Sequence, residues 1–267
     1  HELIHNVVFE GSPVGRPILG TAESVSDFKA ENILNYYNRR YTGDNIVISA
    51  AGNFDGESFI SSAEKKFGGL KPSKENKIIM PDIYIPGKKV FVNRDIRQTH
   101  ICLAFPGISR DSVLKYPYMV FNAIFGEGIN SVLFKTLRKE GLVYTVYSYM
   151  TAYNNTGAFT VYFAAEGDKA LKAYNRILEE TNSFIEGIGR TDIEKTKKRL
   201  VNSYIMGRES VISAVNSIGG STILRGRVIT DEEVINGIHD VTAEDIIKTA
   251  ETILKADMLS LAAVGDI

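Results

Sequence analysis

A single cysteine, Cys102, leaves no partner for an internal disulfide anywhere in the 267 residues, so the fold must stand on packing. No apolar run approaches the roughly 20 residues that a membrane-spanning helix needs. No signal-peptide pattern opens the chain, an absence that decides nothing if the protein begins further upstream. Charge is nearly balanced, with 31 basic and 32 acidic residues and a formal net charge of -1, so the chain as a whole exerts no pull on nucleic acid or on an anionic membrane. Histidine is scarce as well, at four residues, which narrows any metal chemistry. What is present is 44% hydrophobic and 24% charged, enough apolar material for one large core or two modest ones.

The chain opens H-E-L-I-H, His1 to His5. Two imidazoles one helical turn apart with a glutamate between them are the arrangement in which a helix holds Zn²⁺ and activates its water. The surroundings oppose that reading. A helix grips metal only when turns on both sides hold it rigid, whereas none precedes His1 here and the turn formers Gly11, Pro13 and Gly15 follow. A catalytic zinc also needs a third protein ligand, and His100 and His239 belong to unrelated segments. The residues read instead as the end of a helix.

An internal repeat organises the rest. Ala30 to Asn53 (A-E-N-I-L-N-Y-Y-N-R-R-Y-T-G-D-N-I-V-I-S-A-A-G-N) aligns without a gap on Ala243 to Asp266 (A-E-D-I-I-K-T-A-E-T-I-L-K-A-D-M-L-S-L-A-A-V-G-D), at a constant offset of 213 residues. Ala30/Ala243, Glu31/Glu244, Ile33/Ile246, Asp44/Asp257, Ala50/Ala263 and Gly52/Gly265 are identical. Each copy reads as an amphipathic helix feeding a short apolar strand that ends at glycine. The second unit begins near Lys88, after a proline-bearing charged stretch that reads as a boundary, so the same offset puts the start of the first unit about 125 residues before His1. The expected division is 1–72 as the C-terminal portion of a first lobe, 73–87 as a linker and 88–267 as a complete second lobe.

Within that second unit K-V-F-V-N and T-H-I-C-L-A-F read as strands. V-Y-T-V-Y-S-Y-M-T-A-Y and G-A-F-T-V-Y-F-A-A-E are placed to pair as an antiparallel hairpin across N-N-T-G. Helices are expected over Tyr116 to Phe125, Ser131 to Lys139, Lys169 to Ile185 and from Asp192 onward. Thr191 with Glu194, and Thr230 with Glu233, have capping-box spacing. The order of elements predicts an α+β fold, an antiparallel sheet covered by helices, without the alternation of a Rossmann-like fold.

Ile4 to Val25, I-H-N-V-V-F-E-G-S-P-V-G-R-P-I-L-G-T-A-E-S-V, resembles the passage just downstream of the metal site in the M16 (pitrilysin and mitochondrial processing peptidase) zinc peptidases. L-A-F-P-G-I-S-R-D, followed by F-N-A-I-F-G-E-G-I-N-S-V-L-F-K-T-L-R-K-E-G-L-V-Y-T-V, is similar to the signature of that family's second domain. The resemblance runs through nearly the whole chain in the same order. It implies M16-type lobes, one complete and one represented by its C-terminal part. It also implies zinc in the parent enzyme, held by an inverted H-x-x-E-H motif and a later glutamate that both lie upstream of this chain. On that reading H-E-L-I-H is a coincidence, and the chain alone binds no metal and is inactive. The helix Tyr116 to Phe125 corresponds to the metal-binding helix of the first domain, yet carries no histidine or acid.

The resemblance further implies that the second domain binds substrate. The family's arginine and tyrosine, in an R-E-K-x-G-L-x-Y type motif, match Arg138 and Tyr144 in R-K-E-G-L-V-Y, with the arginine one residue nearer the glycine than in the family. A guanidinium can hold peptide carbonyls and a phenol can donate to a developing oxyanion. The implied partners are a peptide substrate and either the missing N-terminal part or a partner M16 subunit, in a homodimer or heterodimer. Three functions fit: part of an active zinc metalloendopeptidase with an interdomain chamber, a non-catalytic subunit lending Arg138 and Tyr144 to a partner, and a structural relative of the core subunits of the respiratory bc1 complex.

Overall fold

Residues 1–73, 83–188 and 190–266 of the computed structural model are described, the side chains of 190–192 excepted. Most of the expected linker, 74–82, and the side chain of Thr191 therefore lie outside the described residues. Two compact units emerge, one formed by His1–Ile18, Met80–Leu200 and Gly237–Ile267, the other by Leu19–Ile79 and Val201–Asn236. They divide the chain differently from the repeat, because the first helix packs with the residues after Met80.

That first helix is α1 (Glu2–Val8); α2 (Ala22–Ser26), α3 (Ala30–Arg40) and α4 (Gly56–Phe67) follow it in the chain. The sheet then begins with β1 (Lys89–Asn93) and β2 (Thr99–Pro106). After them come α5 (Lys115–Phe125), a π-helical turn at Phe134–Arg138, and the hairpin of β3 (Thr145–Ala152) and β4 (Gly157–Ala165). The chain closes with α6 (Gly167–Ser183), α7 (Arg190–Arg208), α8 (Val211–Arg225), α9 (Asp231–His239), α10 (Ala243–Ile253) and β5 (Ser260–Gly265). The five strands lie in the order β1-β5-β2-β4-β3. Every pair is antiparallel except β1 with β5, which is parallel and so needs the long connection that the intervening elements provide. The fold is α+β, one mixed sheet covered by helices.

Alternation along the strands decides which face meets which helix. Leu103, Phe105, Phe159, Val161 and Phe163 share one face and are fully buried. Phe121 and Phe125 of α5 pack there, with ring centroids 5.0 Å and 5.9 Å from Phe159. Truncating one such ring to alanine costs about 3–5 kcal/mol. On the opposite face Cys102, Ala104, Ala158 and Ala262 form a second cluster with Ile4, Val8 and Phe9 from α1 and the loop after it. Burial pushes the Cys102 thiol up, so this cysteine is packing.

Both helices of the repeat form, but only one of its strands does. In the sheet-bearing unit Thr242 caps α10, its hydroxyl accepting from the Asp245 amide at 3.2 Å while the Asp245 carboxylate accepts from the Thr242 amide at 2.9 Å. Thr230 likewise accepts from the Glu233 amide at 3.1 Å and starts α9. β5 sits between β1 and β2 and is paired on both sides. Its counterpart, Val47 to Gly52, forms no ladder. In the unit that holds it, Ser49 donates instead to the Val215 carbonyl of α8 at 3.1 Å. An apolar strand sequence needs neighbouring strands to become a strand, and the described residues of that unit supply none.

Candidate functional site

R-K-E-G-L-V-Y turns the chain from a helix into the sheet. Leu133 and Leu137 are fully buried and fix the π-helical turn. Gly141, at φ 66°, ends it: the Gly141 amide donates to the Arg138 carbonyl at 3.2 Å and the Leu142 amide to the Leu137 carbonyl at 3.1 Å. This is a Schellman closure, which needs a left-handed residue and explains glycine at 141 and an apolar residue at 142. Arg138 then reaches forward, Nη1 donating to the Val143 carbonyl at 3.1 Å. That bond uses one of five guanidinium donors.

Tyr144 follows directly, its amide donating to the Ala164 carbonyl at 2.9 Å as the chain enters β3. Its side chain is 44% exposed. The hydroxyl donates to Glu166 Oε1, and Lys169 Nζ lies 3.8 Å from the other carboxylate oxygen. The bond to Glu166 is the main reason the Tyr144 hydroxyl titrates above its ordinary value. The same bond, helped by Lys169, holds the Glu166 carboxyl below the usual carboxylate range. The structure therefore brings Arg138 and Tyr144 to one corner of the sheet, the arginine bonded to the peptide unit just before the tyrosine. Glu166 had no signal in the sequence beyond an acid between an apolar strand and a helix.

Next to this corner, the sheet face that carries Cys102 is rich in tyrosine. Tyr147, Tyr149 and Tyr162 share it by register. His1 lies against all three rings, with Nδ1 3.0 Å from the Tyr149 hydroxyl and Nε2 3.1 Å from that of Tyr147. His5 Nε2 is 2.6 Å from the Tyr153 hydroxyl. H-E-L-I-H thus opens a helix, but its imidazoles bond to phenols, and Ile4 between them and Val8 one turn further on are buried. No group of three histidine, cysteine, aspartate or glutamate side chains fit to hold a metal occurs among the described residues. The donors among the described residues do not suit a catalytic zinc, which needs three protein ligands and an open position.

Two glycines near the site serve packing and turn geometry. A Cβ on Gly126 would fall 2.2 Å from Ser148 Oγ and 2.8 Å from the Ser148 amide nitrogen. Ser148 belongs to a buried chain in which its hydroxyl donates to Asn122 Oδ1 at 2.7 Å and Asn122 Nδ2 donates to Glu127 at 2.9 Å. Gly128 takes φ 87° in the turn that follows. A separate apolar cavity of about 460 Å³, lined by Phe91, Ile101, Leu171, Tyr174 and their neighbours, touches neither Arg138 nor Tyr144.

The family described as Peptidase M16 inactive domain matches residues 27–200. A protein of Rickettsia felis described as an uncharacterized zinc protease is 32% identical over 258 residues, covering 96% of this chain and 62% of its own length. The mitochondrial-processing peptidase subunit beta of Lentinula edodes is 26% identical over 281 residues, covering 99% of this chain and 60% of its own. A chain of complex III from Candida albicans superposes with a TM-score of 0.90 at 19% identity, covering 100% of this chain and 66% of that one. This chain spans about three-fifths of the length of the curated relatives it matches.

Proposed function

The chain belongs to the M16 peptidase family, and on that premise we propose that it is the substrate-binding C-terminal portion of a zinc metalloendopeptidase that cleaves peptides in a chamber between lobes. The observation that carries the reading is that Arg138 and Tyr144 meet at one corner of the sheet, the guanidinium anchored on the carbonyl of Val143 and the half-exposed Tyr144 following directly. On this reading residues 88–267 are a whole second lobe, 73–87 a linker and 1–72 the tail of a first lobe. The metal ligands belong to a segment outside this chain, and the chain alone is inactive.

Tyr144 acts in the transition state. Its hydroxyl donates to the substrate oxygen as charge develops there, so it stabilises the transition state selectively. Arg138 holds substrate carbonyls equally in ground and transition states, which is uniform binding. In an active assembly containing this chain, Tyr144→Phe should lower kcat by on the order of 10²–10³ with KM little changed. Arg138→Ala should chiefly raise KM, and Arg138→Lys should recover only part of that loss, because a point charge does not reproduce the planar fork. Steady-state kinetics on an unstructured peptide, with zinc content and thermal unfolding controlled, reads both. A Tyr144→Phe enzyme with kcat within about twofold of wild type would leave the tyrosine as packing only.

The likeness to a complex III chain supports a second reading, an assembly subunit without hydrolysis of its own. It predicts that Arg138 and Tyr144 can both be replaced without loss of function, which the same variants test.

A further inference from the structure

Tyr144 and Glu166 face each other across the open end of the β3–β4 pair. Tyr144 is one residue before β3 and Glu166 one residue after β4, and the register Thr145↔Ala164 brings the two ends together. Their backbones are fixed independently. Tyr144 is tied to Ala164, and the Glu166 carbonyl accepts from the Lys169 and Ala170 amides at 2.9 Å and 3.0 Å as the first turn of α6. The two carboxylate oxygens have separate partners, the Tyr144 hydroxyl on one and Lys169 on the other. A half-exposed tyrosine at a strand end can turn about two side-chain torsions. Here a carboxylate chooses between their rotamers.

We propose that Glu166 is a positioning residue for Tyr144, holding the phenol at the mouth of the site with its proton retained and its ring aimed before substrate arrives. The proposal rests on the reading of Tyr144 as oxyanion donor. Chemistry supports the arrangement. A phenol serves as donor only while protonated, and an ionised acceptor beside it keeps the proton in place. Tyr144 titrates high and Glu166 low, the two directions expected of one neutral donor bonded to one charged acceptor. Lys169 and Arg97 both bear on Glu166 and offset its negative charge, so the carboxylate aims the phenol without leaving an unbalanced anion beside a developing oxyanion. When substrate binds, the Tyr144 O–H turns its one hydrogen bond from the Glu166 carboxylate to the peptide oxygen, and the proton stays on the phenol. The ring needs only a small re-aiming, which limits the ordering cost at the moment of reaction.

Two measurements test this. In the chain itself, carrying ¹³C-labelled tyrosine, the Tyr144 resonance, assigned through Tyr144→Phe, is titrated by NMR in wild type and in Glu166→Gln. The midpoint should fall toward the ordinary phenol value in the variant; an unchanged midpoint overturns the proposal. In an active assembly, Glu166→Ala should lower kcat on the order of tenfold with KM within about twofold, because the donor remains but is misplaced. Glu166→Gln should recover part of the loss, since an amide oxygen still accepts the phenol hydrogen bond. If Tyr144→Phe is impaired and Glu166→Ala keeps kcat within twofold or raises it, positioning is refuted while the role of Tyr144 stands. If Tyr144→Phe itself is unimpaired, the reading of Tyr144 falls and the positioning of Tyr144 falls with it.

Discussion

His5 places Nε2 2.6 Å from the Tyr153 hydroxyl and sits in a tilted stack with Phe9, at 4.9 Å between ring centroids. Burial disfavours its imidazolium and lowers its pKa below the ordinary 6.5. The sign of the linkage follows: the folded state binds this proton more weakly than the unfolded chain does. The contribution of His5 to stability is therefore present above pH 6.5 and is lost as the pH falls through that value and below it. Between pH 7.5 and 5 the unfolding midpoint of wild type should fall further than that of His5→Gln, by on the order of 1 °C for a half-buried group in a chain of this size. Calorimetry on the two proteins decides it, and parallel pH profiles would show that the His5 proton is not coupled to folding. The spacing H-x-x-x-H was visible in the sequence. The tyrosines that engage its two imidazoles lie near residue 150, and no pattern within five residues could reveal them.

At the scale of elements, the two copies of the repeat show what local sequence can specify. Helix signals are local: the Thr242 cap and the Gly141 closure act within a few residues, and α3 and α10 both form where their periodicity places them. The tight hairpin of β3 and β4 was legible for the same reason. Strands depend on distant partners. Ile246 on α10 is fully buried whereas the identical residue of the repeat, Ile33 on α3, is 63% exposed. β5 is laddered on both sides while Val47 to Gly52 has no ladder at all. The parallel pairing of β1 with β5 joins residues more than 170 apart and carried no sequence signal. Amide exchange should follow this division. Leu261 to Val264 should be among the slowest-exchanging amides of the chain, and Val47 to Ala51 should exchange near the rate of an open loop. Equal protection of the two segments in a monomer would mean that Val47 to Ala51 has found strand partners within the chain.

At the scale of the whole molecule, apolar surface is distributed unequally. α3 has high amphipathic character yet buries none of its residues, and Ile33, Leu34, Tyr36 and Tyr37 stand 52–63% exposed; Val47 and Ile48 of the same unit are also partly bare. A helix with an apolar stripe gains its stability by covering that stripe, and a bare stripe of this kind is a site of association. A net charge of -1 supplies almost no repulsion between copies. The chain by itself should therefore self-associate with rising concentration, and it should do so through this unit. Leu34→Glu with Ile48→Lys should lower the sedimentation-average mass at a fixed concentration in the tens of micromolar, with the far-ultraviolet circular dichroism unchanged, because each places a solvated charge on bare apolar surface of this unit. Leu171→Glu provides the control: Leu171 is 68% exposed but sits on α6 of the sheet-bearing unit. A wild-type chain that stays monomeric over this range, or a Leu171→Glu chain that dissociates as readily as the double variant, would show that the bare face of α3 is not what draws copies together.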